Sequence, residues 1–328
     1  PAELASAYQL ASAARGAATI ALVVAYHYAD AERDLAAYRA QFGLPACTVA
    51  AGCLRVVNQQ GRAAPLPAPP PPDDDWTVEA ALDLQLASAG CPGCRLVLVE
   101  AADDHSEALF EAQRGAIAAG ATVISNSWGR PEAGGEARLE AYFAHPGVGT
   151  FVATGDDGFE DDGRGPDYPG TSAYVTGVGG TRLVRSARGA RGWVEGAWTR
   201  GGSGCSRSIA RPRWQRQTAC ARRASADVAA VGDPATGLAV YHRGSGGWQV
   251  AGGTSAAAPF VAGVYARYGL GAQPAGYAEG HAGQFFDVTT GANGACAAPL
   301  CRAGAGWDGP TGVGSPDGAA LGAAAVSE

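Results

Sequence analysis

Short apolar runs alternate with longer stretches of helical spacing along the first half of the chain. Apolar runs bounded by turn residues are typical of buried strands, and apolar positions recurring every third or fourth residue are typical of helices. The pattern predicts strands at residues 19–25, 95–100, 122–127 and 149–154, and helices at residues 29–42, 76–89, 106–119 and 136–144. Because these elements alternate with short connections, we expect an α/β protein with a mainly parallel sheet flanked by helices.

The second half of the chain is less regular and richer in glycine and arginine. It predicts short strands at residues 174–178 and 226–231, a helix at residues 255–268, and a loop-rich tail at residues 280–316. No internal repeat and no clear boundary divides the sequence, so residues 1–328 are expected to form a single domain. The proline-rich segment at residues 65–75 excludes helix and is either an interdomain linker or, as we favour, a stiff surface loop.

The composition narrows the possible partners and the cellular setting. A formal net charge of -7 over 328 residues argues against nucleic acid as a binding partner. No apolar run in the sequence is long enough to cross a membrane. The start at Pro1, without methionine or a signal-like stretch, is typical of a processed product. The eight cysteines favour four local disulfides and an oxidising compartment over a zinc or redox site, in the pairs Cys47/Cys53, Cys91/Cys94, Cys205/Cys220 and Cys296/Cys301.

A glycine-rich turn leads into a predicted helix at the motif GGTSAAAP, residues 252–259. Gly253 allows a close backbone approach that a Cβ would block. Ser255 follows at the helix N-terminus, where free N–H groups and the helix dipole favour developing negative charge. The motif can present a nucleophilic hydroxyl at a cleft, although Thr254 or Ser255 can also be an ordinary helix cap.

A serine nucleophile needs a general base, and an acid pair is a better candidate here than a histidine. Five histidines occur, none in a setting typical of a catalytic base: His27, His105, His145, His242 and His281. Glu79 and Asp83 lie one helical turn apart on a face that also carries Trp76. Two acids crowded in a half-buried site cannot both ionise easily, so the pair can share a proton and act as a base in acidic solution. The alternative is two solvated acids on an exposed helix face.

Three further aspartates occupy positions where a carboxyl could bind an oxyanion or a metal ion. Asp156 follows an apolar strand, so it is expected at the carboxyl edge of the sheet, where a protonated carboxyl can bind an oxyanion; an ordinary turn is the alternative. Asp287 and Asp308, together with glycine carbonyls near residues 304–306, supply the hard oxygen ligands that calcium prefers. Turn-capping aspartates are the alternative in the tail.

These motifs together resemble the sedolisin family of serine-carboxyl peptidases, which have a subtilisin-like, doubly wound fold. The matching segments follow the family order from PAELASAY at residues 1–8 to the tail, and this ordered set is far more specific than any one motif. The matching segments after residues 1–8 are ExxxD at 79–83, SNSWG at 125–129, TGDDG at 154–158, YPGTSAYVTGVGGT at 168–181, GGTSAAAP at 252–259, and the DV and GAGWDGPTGVGSP pattern within 287–316.

The resemblance implies a role for each matching residue. Ser255 would be the nucleophile, Glu79 its general base and Asp83 the partner that orients Glu79. Asp156 would donate a hydrogen bond to the oxyanion. The resemblance also implies one structural calcium ion, held by Asp287, the carbonyls of Val288, Gly304 and Gly306, and Asp308. The substrate cleft would be lined by Ser125, Ser127 and Trp128.

The resemblance also implies a secreted, acid-active endopeptidase that cleaves polypeptides and is made with an N-terminal propeptide; we expect a monomer. Some family members carry a further acid at the end of the first strand, where this chain has Val24, followed closely by Tyr26 and His27. That departure leaves the pH optimum open. It is also the only support for a catalytically silent, peptide-binding relative, whereas a Ser-His-Asp hydrolase would require one of the five histidines at the nucleophile.

Overall fold

The computed structural model describes residues 1–11, 18–189 and 191–324. Its strands are β1 Thr19–Ala25, β2 Leu54–Asn58, β3 Arg95–Ala101, β4 Val123–Asn126, β5 Arg130–Pro131, β6 Gly149–Ala153, β7 Asp167–Tyr168, β8 Thr176–Arg185, β9 Trp193–Ala197, β10 Val228–Val231, β11 Leu238–His242, β12 Gly247–Ala251, β13 Phe285–Phe286 and β14 Ser315–Pro316. Its α-helices are α1 Ala2–Ala7, α2 Ala31–Gln41, α3 Trp76–Gly90, α4 Ser106–Ala118, α5 Thr254–Arg267, α6 Tyr277–Gly280 and α7 Gly318–Ala324.

The central sheet follows the order β10-β8-β6-β4-β1-β3-β2 in the described part of the chain, and β9 pairs with β8. Neighbours along this order are parallel, whereas β9 is antiparallel to β8. The chain order reverses at β1, with β3 on one side and β4 on the other. This is the expected doubly wound, mainly parallel sheet, and clefts form at the carboxyl ends of the strands beside such a reversal.

Both faces of the sheet are covered, which explains why its inner strands are apolar without interruption. Side chains of β1 alternate between the two faces. Ile20 and Leu22 pack with α2, α3 and α5 in one core cluster, and Ala21 and Val23 pack with α4 in another. The first cluster also includes Leu4 and Leu321, so both ends of the described chain contribute to it.

Helices α3 and α5 meet through glycines. A Cβ on Gly90 would lie 2.5 Å from the Phe260 carbonyl oxygen, and a Cβ on Gly263 would lie 2.7 Å from that of Ala87. The two backbones therefore approach more closely than any larger residue would allow. Asp83 and Ser255 lie about two turns before these glycines on their own helices, so the contact fixes the spacing between them.

Most of the predicted elements are confirmed within one or two residues, but the helix predicted at residues 136–144 is wrong. Two short 3-10 turns replace it, Glu136–Arg138 and Glu140–Tyr142. The Glu136 carboxylate turns back to accept hydrogen bonds from the amides of Ala133 and Gly134, at 2.7 and 3.0 Å. Phe143 then packs edge-on against Phe110. Local capping and aromatic packing thus outweigh the helical spacing of this segment.

Other differences concern short or exposed strands. The predicted strand at 174–178 begins at Thr176 and extends to Arg185, and that at 226–231 begins at Val228. Strand β2 and the β11–β12 hairpin were not predicted, because their half-exposed residues lack a continuous apolar run. The segment at 65–75 is irregular and leads directly into α3, as expected of a loop.

All four predicted disulfides are present. They join residues 6, 3, 15 and 5 positions apart, so each closes one local loop. Within the described ranges, no helix combines the length and the apolar character that crossing a membrane would require.

Candidate active site

A cleft of about 350 Å³ opens where α3 and α5 begin and where β4 and β6 end. Its walls come from five separate parts of the chain: Asp75, Trp76 and Glu79; Ser127, Trp128 and Gly129; Ala153, Gly155 and Asp156; Asp167; and Thr254 and Ser255. The fold thus gathers residues that are up to 180 positions apart in sequence at the carboxyl edge of the sheet. Three of the four predicted catalytic residues line this cleft, and the fourth, Asp83, is buried behind it.

Ser255 is the second residue of α5, and neither it nor Thr254 caps the helix. The N-cap is Gly253, whose φ of 91° suits glycine. A Cβ on Gly253 would lie 2.6 Å from Asp156 Oδ2, so the close approach expected of this glycine is confirmed. The Ser255 hydroxyl is therefore free for other partners at the positive end of the helix.

Glu79, half-buried at the cleft wall, and Asp83, fully buried behind it, form an acid pair next to Ser255. Burial raises the pKa of Glu79, a hydrogen bond with Ser255 opposes that rise, and the charge of Asp156 adds to it. Burial and the charge of Glu79 together raise the pKa of Asp83, which is 0% exposed. Both shifts favour protonated carboxyls at a pH where isolated ones are ionised.

Each acid of the pair has one buried oxygen without a hydrogen-bond donor in the described part of the chain, Glu79 Oε1 and Asp83 Oδ2. The other oxygen of Asp83, Oδ1, accepts a 2.7 Å hydrogen bond from Ser127 Oγ. Since two carboxylates cannot donate to each other, a proton shared between them would satisfy the remaining oxygens. The pair is thus built to retain one proton.

Asp156 lies on the other side of Ser255, just after β6. Its Oδ1 accepts hydrogen bonds from both the amide and the hydroxyl of Thr254, at 2.8 and 2.9 Å. Burial raises the pKa of Asp156, and the bonds from Thr254 partly oppose that rise. The carboxyl is therefore held in place through one oxygen, while the other lies beside Gly253.

Asp167 is a cleft residue that the sequence analysis missed. Burial and the charge of Asp161 raise its pKa to about 7, and its Oδ1 is buried without a hydrogen-bond partner in the described chain. Its other carboxylate oxygen leaves no room for a Cβ on Gly155. The sequence feature that could have identified Asp167 is its position directly before the YPGTSAY motif.

The three residues predicted to line the substrate cleft differ in their placement. Ser127 and Trp128 line the cleft, whereas Ser125 is 0% exposed inside β4 and does not. The Trp128 indole donates a 3.1 Å hydrogen bond to the Val23 carbonyl oxygen, which ties the cleft wall to β1. Ser127 turns its hydroxyl away from the open cleft, towards Asp83.

The five histidines of the chain all fall within the described ranges, and none of them lines the cleft. His27 Nδ1 lies 2.8 Å from Glu100 Oε2, and Glu100 Oε1 accepts from the Tyr28 amide. Glu100 is the register partner of Val24, which is itself fully buried. The acid nearest to the Val24 position along the sheet thus binds His27.

Two of the predicted calcium ligands, Asp287 and Asp308, contact the loop at residues 304–306. Asp308 Oδ2 accepts from the Gly304 amide at 3.0 Å, and Asp287 Oδ2 accepts from the Gly306 amide at 2.9 Å. Neither carboxylate forms an ion pair with a described side chain, and Asp308 is 0% exposed. The described residues contain no cluster of three or more metal-binding side chains. Two carboxylates with backbone carbonyls nevertheless fit the chemistry of calcium.

Comparison with known proteins agrees with this geometry. The profile of the Subtilase family matches residues 77–275. Kumamolisin from Bacillus sp. (strain MN-32) is 34% identical over 98% of this chain, which covers 62% of that protein. Sedolisin from Pseudomonas sp. (strain 101) is 34% identical over 57% of this chain, corresponding to 36% of that protein. The chain thus spans under two thirds of the length of these relatives.

A solved structure shows the same fold. Pseudomonas sedolisin, a serine-carboxyl proteinase complexed with two molecules of pseudo-iodotyrostatin, superimposes with a TM-score of 0.83 at 26% identity, covering 99% of this chain and 97% of that one. The doubly wound sheet, the ordered motifs and these similarities lead to one conclusion: the chain belongs to the subtilase family, and within it to the sedolisin group.

Proposed function

We propose that this protein is a serine-carboxyl endopeptidase that hydrolyses peptide bonds in acidic solution through an acyl-enzyme on Ser255. The observation that carries the proposal is the position of Ser255, at the start of α5 in a cleft whose acid pair is Glu79 and Asp83. Histidine is absent from the cleft lining, so a carboxylate must take the proton of the hydroxyl.

In the first half of the reaction, Ser255 Oγ attacks the carbonyl carbon of the scissile peptide while Glu79 accepts its proton. Asp83 shares the proton of the pair and holds Glu79 in position. Glu79 then returns a proton to the leaving amine as the C–N bond breaks. In the second half, a water molecule attacks the acyl-enzyme while Glu79 accepts its proton. Glu79 then returns the proton to Ser255 Oγ as the ester bond breaks, and the carboxylic product leaves.

Asp156 acts in this scheme as the donor to the carbonyl oxygen as it becomes negatively charged. It must be protonated to do so, and its raised pKa favours that state in acid. The first turn of α5 adds its dipole at the same place. Both functions therefore require acidic solution, because Asp156 must stay neutral and the pair must keep one proton.

We further propose one structural calcium ion held by Asp287, Asp308 and the carbonyls of Val288, Gly304 and Gly306. A bound calcium ion would neutralise two carboxylates and cross-link the tail loop. The proximity of both aspartates to this loop supports the assignment, since they accept hydrogen bonds from the amides of Gly304 and Gly306.

Polypeptide substrates, secretion, a propeptide and a monomeric state are proposed from the family. The four disulfides support an oxidising compartment. Refolding of the 328-residue chain from denaturant, with and without a separately supplied propeptide, would test the propeptide proposal. Size-exclusion chromatography would test the monomeric state.

The central test is cleavage of a denatured protein at about pH 3–5 by the wild type, Ser255→Ala and Glu79→Ala, where loss of a nucleophile or base typically costs on the order of 10⁴-fold or more in kcat. Full activity in either variant would refute the assignment. Titration with a fluorophosphonate or peptide aldehyde distinguishes an active peptidase from a catalytically silent binding protein, because the silent protein would not be labelled at Ser255.

A further inference from the structure

The hydroxyl of Ser127 lies between the two helices that carry the acid pair and the nucleophile. Ser127 follows β4 directly, and its Oγ donates a 2.7 Å hydrogen bond to Asp83 Oδ1. The same Oγ lies 3.3 Å from the carbonyl oxygen of Ser255. The side chain is only 9% exposed, so it is poorly placed to contact a substrate.

A hydroxyl carries a single proton, so Ser127 can fully satisfy only one of these two acceptors. The shorter contact goes to the carboxylate, and hydrogen bonds to charged acceptors are the stronger ones. Asp83 Oδ1 is therefore occupied, and Oδ2 is the oxygen left without a donor. A proton held by Asp83 is thereby directed to Oδ2, the oxygen available for sharing with Glu79.

We propose that Ser127 is a positioning residue that fixes the carboxyl of Asp83, so that the proton shared with Glu79 resides on Oδ2. This inference rests on the proposed function of the acid pair. It adds to the placement of Ser127 at the cleft a role for its hydroxyl, which is to hold the second member of the pair.

The charges around the pair make this one bond important. The groups facing Glu79 and Asp83 are the acids Asp75 and Asp156 and the hydroxyls of Ser127 and Ser255. No described basic side chain forms an ion pair with either acid. Ser127 is thus the neutral donor that favours the ionised form of Asp83, against burial and the charge of Glu79.

The contact with the Ser255 carbonyl adds a second effect. It links the residue after β4 to the first turn of α5, so Asp83 and the nucleophile are held against the same side chain. Loss of the hydroxyl would free both at once. Because the backbone at position 127 stays in place in an alanine variant, any backbone contact with substrate would be retained.

The test is the pH dependence of kcat and KM for the wild type, Ser127→Ala and Ser127→Thr, with Ser225→Ala as a matched control. Ser225 is a serine of similar burial, 1% exposed, but its hydroxyl has no hydrogen-bond partner among the described residues and it does not line the cleft. We expect kcat of Ser127→Ala to fall about 10- to 100-fold, the usual effect of losing a hydrogen bond to a charged group. KM should change little, the alkaline limb of the kcat profile should move to higher pH, and Ser127→Thr should recover most of kcat.

An unchanged pH profile with a raised KM in Ser127→Ala would overturn the proposal, because that result assigns Ser127 to substrate binding. A readout without turnover keeps the inference separate from the proposed function. In a Ser255→Ala background, the carboxyl infrared band of the pair should titrate at higher pH when Ser127 is alanine. If the two titrations coincide, the inference is wrong even where the wild type is a peptidase. An inactive wild type with a shifted titration would instead refute only the peptidase function.

Discussion

Asp156 accepts two hydrogen bonds from Thr254 on a single carboxylate oxygen, at 2.8 Å from the amide and 2.9 Å from the hydroxyl. Its second oxygen is thereby left beside Gly253, within reach of the space in front of Ser255. The residue before the nucleophile thus orients the acid proposed to bind the oxyanion. The property to test is whether the second oxygen of Asp156 acts as a neutral hydrogen-bond donor.

Replacing Asp156 by alanine should lower kcat about 10²- to 10³-fold, the usual result of losing one oxyanion donor. Asp156→Asn should lose less, because its amide nitrogen can occupy the place of Oδ2 and donate at any pH. Peptide hydrolysis at about pH 4 and pH 6 measures both variants, a range chosen to span the upper part of carboxyl titration. An asparagine variant as inactive as the alanine variant would contradict the donor role.

The acid pair should make the protein less stable as the pH rises. The pKa values of Glu79 and Asp83 are raised in the folded state, so the folded protein binds protons more tightly than the unfolded chain. Their contribution is fully present below the ordinary carboxyl pKa and is lost as the pH increases. Glu79→Gln should reduce the fall in Tm between about pH 4 and pH 7, where each kcal/mol corresponds to roughly 1–2 °C for a chain of this length. Equal falls in variant and wild type would argue against a strained pair.

Asp167 should add to the same trend through a separate carboxyl. Its pKa is raised to about 7 by burial and by Asp161, so its ionisation costs stability between the ordinary aspartate value and neutrality, at most about 4 kcal/mol. Asp167→Asn should raise Tm at pH 7.5 and leave it nearly unchanged at pH 4, both measured by differential scanning calorimetry. A variant that gains stability at acidic pH instead would show that this cause is wrong.

Gly263→Ala should be destabilising by about 1–3 kcal/mol, since the added methyl meets the Ala87 carbonyl and the neighbouring glycine backbone. Because α3 carries the acid pair and α5 carries Ser255, kcat should fall together with stability. Gly280→Ala is the matched control, because a Cβ there meets nothing within 4 Å. Denaturant unfolding and kcat measured on the same samples would test the link; a stable but inactive variant would break it.

Chelation of calcium should lower Tm by several degrees if the tail binds the ion as proposed, and added calcium should restore it. Asp308→Asn should remove this response, since it takes one of the two carboxylates from the proposed site. An unchanged Tm after exhaustive chelation would show that no such ion stabilises the fold. The measurement needs no substrate, so it is independent of activity.

Local spacing was enough to predict the elements that position the site. β1 is a continuous apolar run because both its faces are covered, and the one-turn spacing of Glu79 and Asp83 placed both acids on α3. The identity of the catalytic candidates came from the order of the motifs, which no single residue pattern provides. The cleft then brought Glu79, Asp156 and Ser255 together as that order implied.

The remaining features depend on contacts between distant residues. The hydroxyl of Ser127 could be assigned to Asp83 only once β4 and α3 were placed side by side. Asp167 enters the cleft because β7 pairs with β5, and two-residue strands leave no periodic signal. The failed helix at residues 136–144 has this origin in part, because the distant packing of Phe143 on Phe110 acts together with the local hydrogen bonds of Glu136.

The four disulfides each close a loop within one connection, and none joins one layer of the fold to another. Reduction should therefore loosen single connections rather than separate whole layers, and one of these connections begins directly after α3, where Cys91 lies next to the contact with α5. Loosened connections are where proteolytic nicking begins. If the proposed peptidase activity can act on other copies of the chain, these bridges would limit that cleavage, and the redox state of the surroundings would determine how long the protein lasts.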